Sequence, residues 1–201
     1  MRKPAYTRLR TDERRAQLLD LAEQLFTTHT YGELSMARIA REAGISKALL
    51  YHYFPSKQAF FQATLQEAIE DLVARTEVDP SLAPAEQLTA SLDAYLDWVD
   101  AHTGAYGKLM RTAMEEDWVR ALVDDVRDRT ASRILAGIAP PSGELPPAAR
   151  TAVRSWLWFM DGACLDWIEH RDLDRQALLG LLLGTLVGAL AAAGVQAPTA
   201  Q

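Results

Sequence analysis

The stretch SMARIAREAGISKALLYHYFPSK, residues 35–57, decides the fold of this chain. Ser35 is a good helix cap, apolar residues follow it at helical spacing, and Gly44 supplies the left-handed residue that ends this first helix. Ser46 caps a second helix, which ends before Pro55. Two short helices joined by a tight turn predict a helix-turn-helix, whose second helix fits the major groove of DNA.

The second helix of this motif has an apolar side and a polar, aromatic side. Three positions are predicted to point toward the interior: Leu49, Leu50 and either Tyr53 or Phe54. The opposite side faces outward and carries Lys47, Ala48, Tyr51 and His52. A short helix with hydrogen-bonding and aromatic groups on its outer side is suited to contact with nucleic acid.

The same stretch resembles the signature of TetR-family transcriptional regulators. The matching residues keep several fixed spacings and are Ser35, Met36, Ile39, Ala40, Ala43, Gly44, Ile45, Ser46, Leu50, Tyr51, Tyr53, Phe54 and Lys57. The likeness covers the first quarter to third of the chain, and the remainder resembles the family only in its length and helical character. It implies a homodimer that binds a near-palindromic operator in double-stranded DNA, and a body that binds a small-molecule effector. No cofactor is expected.

The family pattern also implies which residues contact DNA. It places Lys47 and Ala48 near base edges, where Lys47 can donate to guanine and the Ala48 methyl group can contact a thymine methyl group. The phosphate anchors, by the same pattern, are Ser35, Ser46 and Lys57. The aromatic residues that contact phosphates and bases are Tyr51, His52 and Tyr53, and Tyr53 has the alternative role of a partly buried core residue. Arg38 is either a phosphate contact or a solvated charge.

Charge is distributed unevenly along the chain, whose net charge is −6. Residues 1–60 carry ten Lys or Arg against six Asp or Glu, for a net charge of +4, whereas residues 61–201 carry eleven against twenty-one, for −10. A basic head on an acidic body favours DNA contact through the head alone. The basic residues at the start form either a solvated tail or an arm along DNA, and are Arg2, Lys3, Arg8 and Arg10.

The 201 residues suffice to bury a sizeable core, and their apolar periodicity predicts an all-α fold. A first helix carries an apolar stripe of Leu18, Ala22, Leu25 and Phe26 that runs toward His29, which is predicted to be solvated. A fourth helix, about 56–75, connects the helix-turn-helix DNA-binding domain, 1–57, to a C-terminal effector-binding and dimerisation body, 76–201. After a linker at 76–86, body helices are predicted at 86–102, 105–112, 115–138, 148–171 and 174–194.

The segment ALLGLLLGTLVGALAAAGV, residues 177–195, carries no charge and is a transmembrane candidate by length. A helix that is apolar all round must be buried in something, so a dimer interface is the alternative. We favour the dimer because neither an aromatic belt nor a terminal positive residue flanks the segment. The resemblance agrees, since TetR-type regulators usually dimerise through their last two long helices. The predicted interface residues are Leu157, Cys164, Ile168, Gly180, Gly184, Val187 and Gly188.

All five tryptophans lie in the acidic body. With neighbouring aromatic and methionine side chains they are typical of a small-molecule pocket between helices, although aromatic stripes also form ordinary cores. The predicted ligand-binding residues are Trp98, Tyr106, Met110, Met114, Trp118, Trp156, Phe159, Met160, Asp161, Ala163 and Trp167. Asp161 lies among apolar neighbours, so it either binds a polar group of the ligand or forms a salt bridge with an arginine of the body or of the dimer partner.

Enzymatic chemistry finds little support in the sequence. Cys164 is the single cysteine, so no intrachain disulfide forms, and its apolar neighbourhood predicts a buried, inert thiol. Asp166 and His170 are predicted to form a surface ion pair rather than a metal site. The start of the chain is basic without an apolar run and is not a secretory signal. The sequence thus predicts a cytoplasmic, ligand-responsive repressor, with a membrane-tethered regulator and a helical-bundle enzyme as alternatives.

Overall fold

The computed structural model describes residues 11–140 and 144–195. Within these residues the chain forms nine α-helices and no strand, which confirms the predicted all-α fold. The helices are α1 (Thr11–Thr28), α2 (Met36–Glu42), α3 (Lys47–Tyr53), α4 (Lys57–Thr76), α5 (Pro84–Ala101), α6 (Thr103–Glu115), α7 (Asp117–Ile138), α8 (Pro147–His170) and α9 (Arg175–Ala192). The predicted N-terminal arm, with Arg2, Lys3, Arg8 and Arg10, lies outside the described residues.

The chain divides into two compact units between Glu70 and Asp71. This division falls inside α4, the helix that the sequence predicts to connect the helix-turn-helix to the body. α4 is continuous through the division, and its residues from Asp71 to Thr76 belong to the second unit. The domain limits predicted at residues 57 and 76 stay predictions.

The first unit is built on the apolar stripe of α1. The four stripe residues are all buried, as predicted: Leu18, Ala22, Leu25 and Phe26. Phe26 packs edge-on against Phe61 of α4, with the ring centroids 4.1 Å apart. Ile39 of α2 and Leu50 of α3 are fully buried as well. All four helices therefore contribute apolar side chains to the interior of this unit.

The inward side of α3 is narrower than the sequence predicts. Leu50 and Phe54 are buried, and Phe54 packs edge-on against Phe60 with 4.9 Å between ring centroids. The prediction for Leu49 is wrong, because its side chain is 38% exposed. Residues four apart share one side of a helix, as Leu50 and Phe54 do, whereas the residue before Leu50 is rotated by about 100°.

All five helices of the second unit contribute buried side chains to its interior. The buried residues of α8 include Val153, Leu157, Met160 and Cys164, and those of α9 include Leu178, Leu182 and Leu186. The indole N–H of Trp156 donates to the backbone carbonyl of Leu182 at 2.9 Å and so joins the two helices. At the start of α9, Arg175 pairs with Asp93 and Asp97 of α5.

Two of the predicted interface residues face the inside of their own chain. Leu157 is 2% exposed and Cys164 is 0% exposed, so neither side chain is available to a second copy. The prediction is wrong for these two residues because α8 is apolar on more than one side, and the sequence does not show which side meets the chain's own core. Ile168 is half-buried. The exposed members of the predicted set all lie on α9 and are Gly180, Gly184, Val187 and Gly188.

Candidate nucleic-acid interface and body cavity

The helix-turn-helix has the caps and the turn that its sequence predicts. The Oγ atoms of Ser35 and Ser46 each accept from the backbone N–H three residues later, at 3.2 and 3.1 Å. Gly44 has a φ of +65°, a conformation that favours glycine. The N–H of Ile45 donates to the carbonyl of Ala40 at 3.0 Å. These bonds fix the direction in which α3 leaves the turn.

The outer side of α3 carries the residues predicted to read DNA. Those that are exposed are Lys47, Ala48, Tyr51 and His52. The Lys47 ammonium lies 5.7 Å from the centroid of the Tyr51 ring, and the His52 ring packs edge-on against Tyr53 at 5.5 Å. Tyr53 is half-buried, which agrees with its alternative role. One cationic group and several aromatic polar groups on an exposed helix can contact both base edges and phosphates.

Lys57, a predicted phosphate anchor, has contacts within its own chain. Its Nζ donates to the carbonyl of Tyr31 at 2.9 Å and lies 3.9 Å from the centroid of the Tyr31 ring. That ring packs edge-on against Phe61 with 5.0 Å between centroids. Lys57 therefore holds the loop between α1 and α2 against the start of α4. An ammonium group has three donors, so this contact leaves donors for a phosphate.

His29 and Arg38 form a contact that the sequence does not predict. Both side chains are half-buried, and Nη2 of Arg38 donates to Nε2 of His29. The prediction of a solvated His29 is therefore wrong, and both alternatives for Arg38 stay predictions. The pair forms because the chain turns between α1 and α2, a tertiary event that helical periodicity does not encode.

Most of the predicted ligand-binding residues of the body are buried or half-buried. Three tryptophans are buried with bonded indole N–H groups: Trp98 donates to Asp71, Trp156 to Leu182 and Trp167 to Leu173. Tyr106 and Met160 are buried, and Met110, Trp118 and Ala163 are half-buried. Met114 is 79% exposed and Phe159 is 39% exposed, and a ligand contact at either residue stays a prediction. Residue type alone does not show which side of a helix turns outward.

Asp161 is the centre of a buried hydrogen-bond network. Its Oδ2 accepts from Nε and Nη2 of Arg127 at 2.8 and 2.7 Å, and its Oδ1 accepts from the hydroxyl groups of Tyr106 at 2.9 Å and Tyr95 at 3.4 Å. Of the predicted alternatives, the structure has the salt bridge within the body. Burial raises the pKa of both tyrosines well above 10, and the charge of Asp161 adds to the rise. Both hydroxyl groups therefore stay protonated and act as donors.

A partly open cavity of about 280 Å³ lies between α7 and α8. Its lining consists of Asp124, Arg127, Asp128, Arg154, Leu157 and Trp158. The Arg127 guanidinium lies 3.8 Å from the centroid of the Trp158 ring, and Arg154 pairs with Asp128 at the surface. The cavity is at the small end of ligand-binding sites. None of its residues belongs to the predicted ligand set, and its one signal in the sequence is Trp158, a tryptophan of the body.

Groups considered for catalysis are arranged as the sequence predicts. Cys164 is fully buried, and burial, with a further contribution from Asp161, raises its pKa to about 12. The thiol is therefore not a nucleophile near neutral pH. Asp166 and His170 form an exposed ion pair with 3.4 Å between Oδ1 and Nδ1. Across the described residues, no group of three or more His, Cys, Asp or Glu side chains is placed to hold a metal ion.

The last helix, α9, is compatible with both interpretations of its apolar sequence, a dimer interface and a membrane span. By length and composition α9, Arg175–Ala192, could cross a membrane, and 22% of that span is buried within the chain. The large apolar side chains that are exposed on this helix are Leu181 and Val187.

A helix-turn-helix unit followed by a helical body defines the class of helix-turn-helix transcriptional regulators. Residues 18–64 match the bacterial regulatory proteins of the tetR family, and residues 84–188 match a tetracyclin repressor-like C-terminal domain. The chain therefore belongs to the TetR family of DNA-binding transcriptional regulators.

Similar proteins are named as regulators rather than enzymes. The HTH-type transcriptional regulator BetI of Agrobacterium fabrum is 42% identical over 178 residues, which are 84% of this chain and 81% of BetI. The HTH-type transcriptional activator FasR of Mycolicibacterium smegmatis is 34% identical over 114 residues, which are 56% of this chain and 50% of FasR. The crystal structure of a tetR-family transcriptional regulator from Streptomyces coelicolor has a TM-score of 0.78 at 35% identity, covering 92% of this chain and 84% of that one.

Proposed function

We propose that this protein is a ligand-responsive transcriptional repressor that binds a near-palindromic operator as a homodimer and releases it when a small molecule binds the body. The observation that carries the proposal is the outer side of α3, where Lys47, Tyr51 and His52 are exposed together. Ser46 caps the start of this helix, and Phe54 anchors its end in the interior. A rigid helix with this outer side is suited to the major groove.

Each residue of the interface has a role that follows from its position. Lys47 and Ala48 begin α3, the part of a recognition helix that reaches base edges. Tyr51, His52 and Tyr53 follow on the same helix and contact bases and phosphates. Ser35, Ser46 and Lys57 stand at the starts of α2, α3 and α4 and contact phosphates. In a dimer, two copies of α3 enter successive major grooves on one side of the duplex.

Lys47→Ala and Lys57→Ala should weaken DNA binding in different ways. Loss of Lys47 should relax the preference for one base and reduce affinity for the preferred duplex by about 1–3 kcal/mol. Loss of Lys57 should weaken binding to all sequences about equally and lower the salt dependence by about one counterion. Fluorescence anisotropy with a selected duplex and a scrambled one, over a series of salt concentrations, measures both effects. If both variants bind as tightly as the wild type, neither lysine contacts DNA.

The dimer partner covers the exposed apolar side of α8 and α9. Large apolar side chains are exposed on Phe159 of α8 and on Leu181 and Val187 of α9. Beside them, Gly180, Gly184 and Gly188 recur every four residues, and a Cβ atom added at any of the three would meet no other element of the described chain within 4 Å. Such a strip allows two helices to approach closely, and a two-fold partner would complete a four-helix interface. Ile168 of α8 is half-buried and stays a proposed interface residue, whereas Leu157 and Cys164 are buried within their own chain and are not part of the interface.

The effector acts through a chain of contacts that ends at α4. In the cavity between α7 and α8, Arg127 binds Asp161, which in turn accepts from Tyr95 of α5. α5 is bonded to the last turn of α4, since Trp98 donates to Asp71 at 3.2 Å and Ser91 donates to the Thr76 carbonyl at 2.7 Å. A ligand that changes the Arg127 contacts can therefore shift α4, and with it the separation of the two recognition helices.

A reporter experiment tests the direction of regulation. A duplex that the protein selects is placed upstream of a reporter gene in a bacterial host, and we expect expression to fall when the protein is present. A rise would make this chain an activator, as FasR is named.

The proposed location is the cytoplasm, with α9 in the dimer rather than in a membrane. Retention of the intact protein in membranes after salt and carbonate washes would instead support a membrane-tethered regulator.

A further inference from the structure

Two positive side chains next to the loop between α1 and α2 lack a carboxylate partner among the described residues. Arg38 contacts the imidazole of His29, and Lys57 contacts the carbonyl and ring of Tyr31. Several arginines of the body are arranged differently. Arg127 and Arg129, for example, each pair with an aspartate. Neither of these two positive side chains therefore has an ion-pair partner among the described residues.

The contacts of His29 assign the position of its proton. A guanidinium has no acceptor, so Nε2 of His29 must accept the hydrogen bond from Arg38 and carries no proton. Nδ1 of His29 lies 2.8 Å from the Thr28 hydroxyl and 3.2 Å from the carbonyl oxygen of Leu25, which can only accept, so the proton is on Nδ1. The imidazole is thus neutral, and α1 fixes its ring so that the free nitrogen faces Arg38.

A neutral acceptor holds the Arg38 guanidinium without cancelling its charge. The side chain is half-buried, and its Nε is buried with no hydrogen-bond partner. A partly desolvated, uncompensated charge is unfavourable until an anion approaches it. Arg38 lies on α2, and the first helix of a helix-turn-helix crosses the DNA backbone. A backbone phosphate is therefore the anion that this position would meet in a complex.

We propose that His29 is a positioning residue for DNA binding, which holds the Arg38 guanidinium where it contacts a backbone phosphate. This inference rests on the proposed DNA-binding function. It gives His29, which follows the end of α1, a role in DNA binding that neither its residue type nor the family pattern predicts. Because His29 acts only through Arg38, the effects of substituting these two residues on DNA affinity should not be additive.

A double-mutant cycle on the full-length protein tests this role. The probe is a fluorescein-labelled duplex of random sequence, titrated by anisotropy over a series of KCl concentrations. Arg38→Ala should weaken binding by about tenfold and lower the salt slope by about 0.9 for each phosphate that the variant no longer neutralises. His29→Ala should weaken binding in the same way but less, and the double variant should bind no more weakly than Arg38→Ala. His29→Gln, whose amide oxygen can accept from Arg38, should bind within about twofold of the wild type.

Controls separate this role from a general effect of charge or folding. Arg41→Ala removes the same charge from α2, where Arg41 is exposed and pairs with Glu42, and should change affinity much less than Arg38→Ala. Circular dichroism establishes whether each variant is folded. If His29→Ala unfolds, His29→Asn replaces it, because the asparagine side chain is too short to reach Arg38. Additive losses in the double variant, an unchanged affinity of the His29 variant, or an equal effect of Arg41→Ala would each overturn the inference. If the wild type binds no duplex even at low salt, the proposed function itself fails.

Discussion

Gly184→Arg should convert the proposed dimer into a monomer and weaken operator binding by about a hundredfold or more, because a monomer lacks the second recognition helix. Gly184 is exposed on α9, and a Cβ atom added there would meet no other element of the described chain. The substitution should therefore leave the fold of one chain intact. It places a charged side chain in the strip that a second copy is proposed to cover. Sedimentation equilibrium measures the mass in solution, and anisotropy with a selected duplex measures the affinity.

A matched control is available on another helix. Gly137 is an exposed glycine of α7 where an added Cβ atom would also meet nothing within 4 Å of the described chain, so Gly137→Arg should stay dimeric and bind normally. If Gly184→Arg is still a dimer with the affinity of the wild type, the α8 and α9 side is not the interface. The two variants differ only in the helix that carries the arginine.

Asp161→Ala should lower the free energy of unfolding by about 3 kcal/mol, since it leaves the largely buried Arg127 with only the half-exposed Asp124 as a carboxylate partner. The side chains of Arg127 and Asp161 are only 14% and 10% exposed, so solvent screens this pair weakly. The substitution also removes the acceptor of Tyr106, whose hydroxyl is buried. Urea unfolding followed by circular dichroism gives the difference in stability.

A second ion pair between α7 and α8 serves as the control for this loss of stability. Asp128 and Arg154 also join α7 to α8, but their side chains are 55% and 54% exposed. Asp128→Ala should therefore change stability by about 0–1 kcal/mol. The double variant Arg127→Met with Asp161→Leu should recover much of the loss, because it removes both charges together. Similar losses for Asp161→Ala and Asp128→Ala would mean that Asp161 is not a buried centre of the body.

The head could be predicted closely from sequence because its signals are local. The serine caps, the glycine turn and the stripe of α1 each depend on residues a few positions apart, and all are present in the structure. The His29 to Arg38 contact could not be predicted, because it depends on how the chain turns between two helices. The prediction for Leu49 is wrong because its position borders the buried side of α3.

The helices of the body could be predicted from the sequence, but the residues that line its cavity could not. Its aromatic residues are of the types that line pockets, yet Trp156 and Trp167 donate their indole N–H groups to backbone carbonyls of the interior. The cavity instead depends on Arg127 and Trp158, which are far apart in sequence and meet only when α7 packs on α8. Asp161 was recognisable as an unusual buried carboxylate, while the arginine that binds it was not.

The central claim is that two recognition helices, held at a fixed separation by the dimer, read a single duplex. Sequencing the duplexes that the full-length protein selects from a random library tests this claim most directly. The account predicts an enriched inverted repeat whose half-sites are centred about one helical turn, ~10 base pairs or slightly more, apart. Enrichment of single half-sites, or none beyond the starting library, would contradict it.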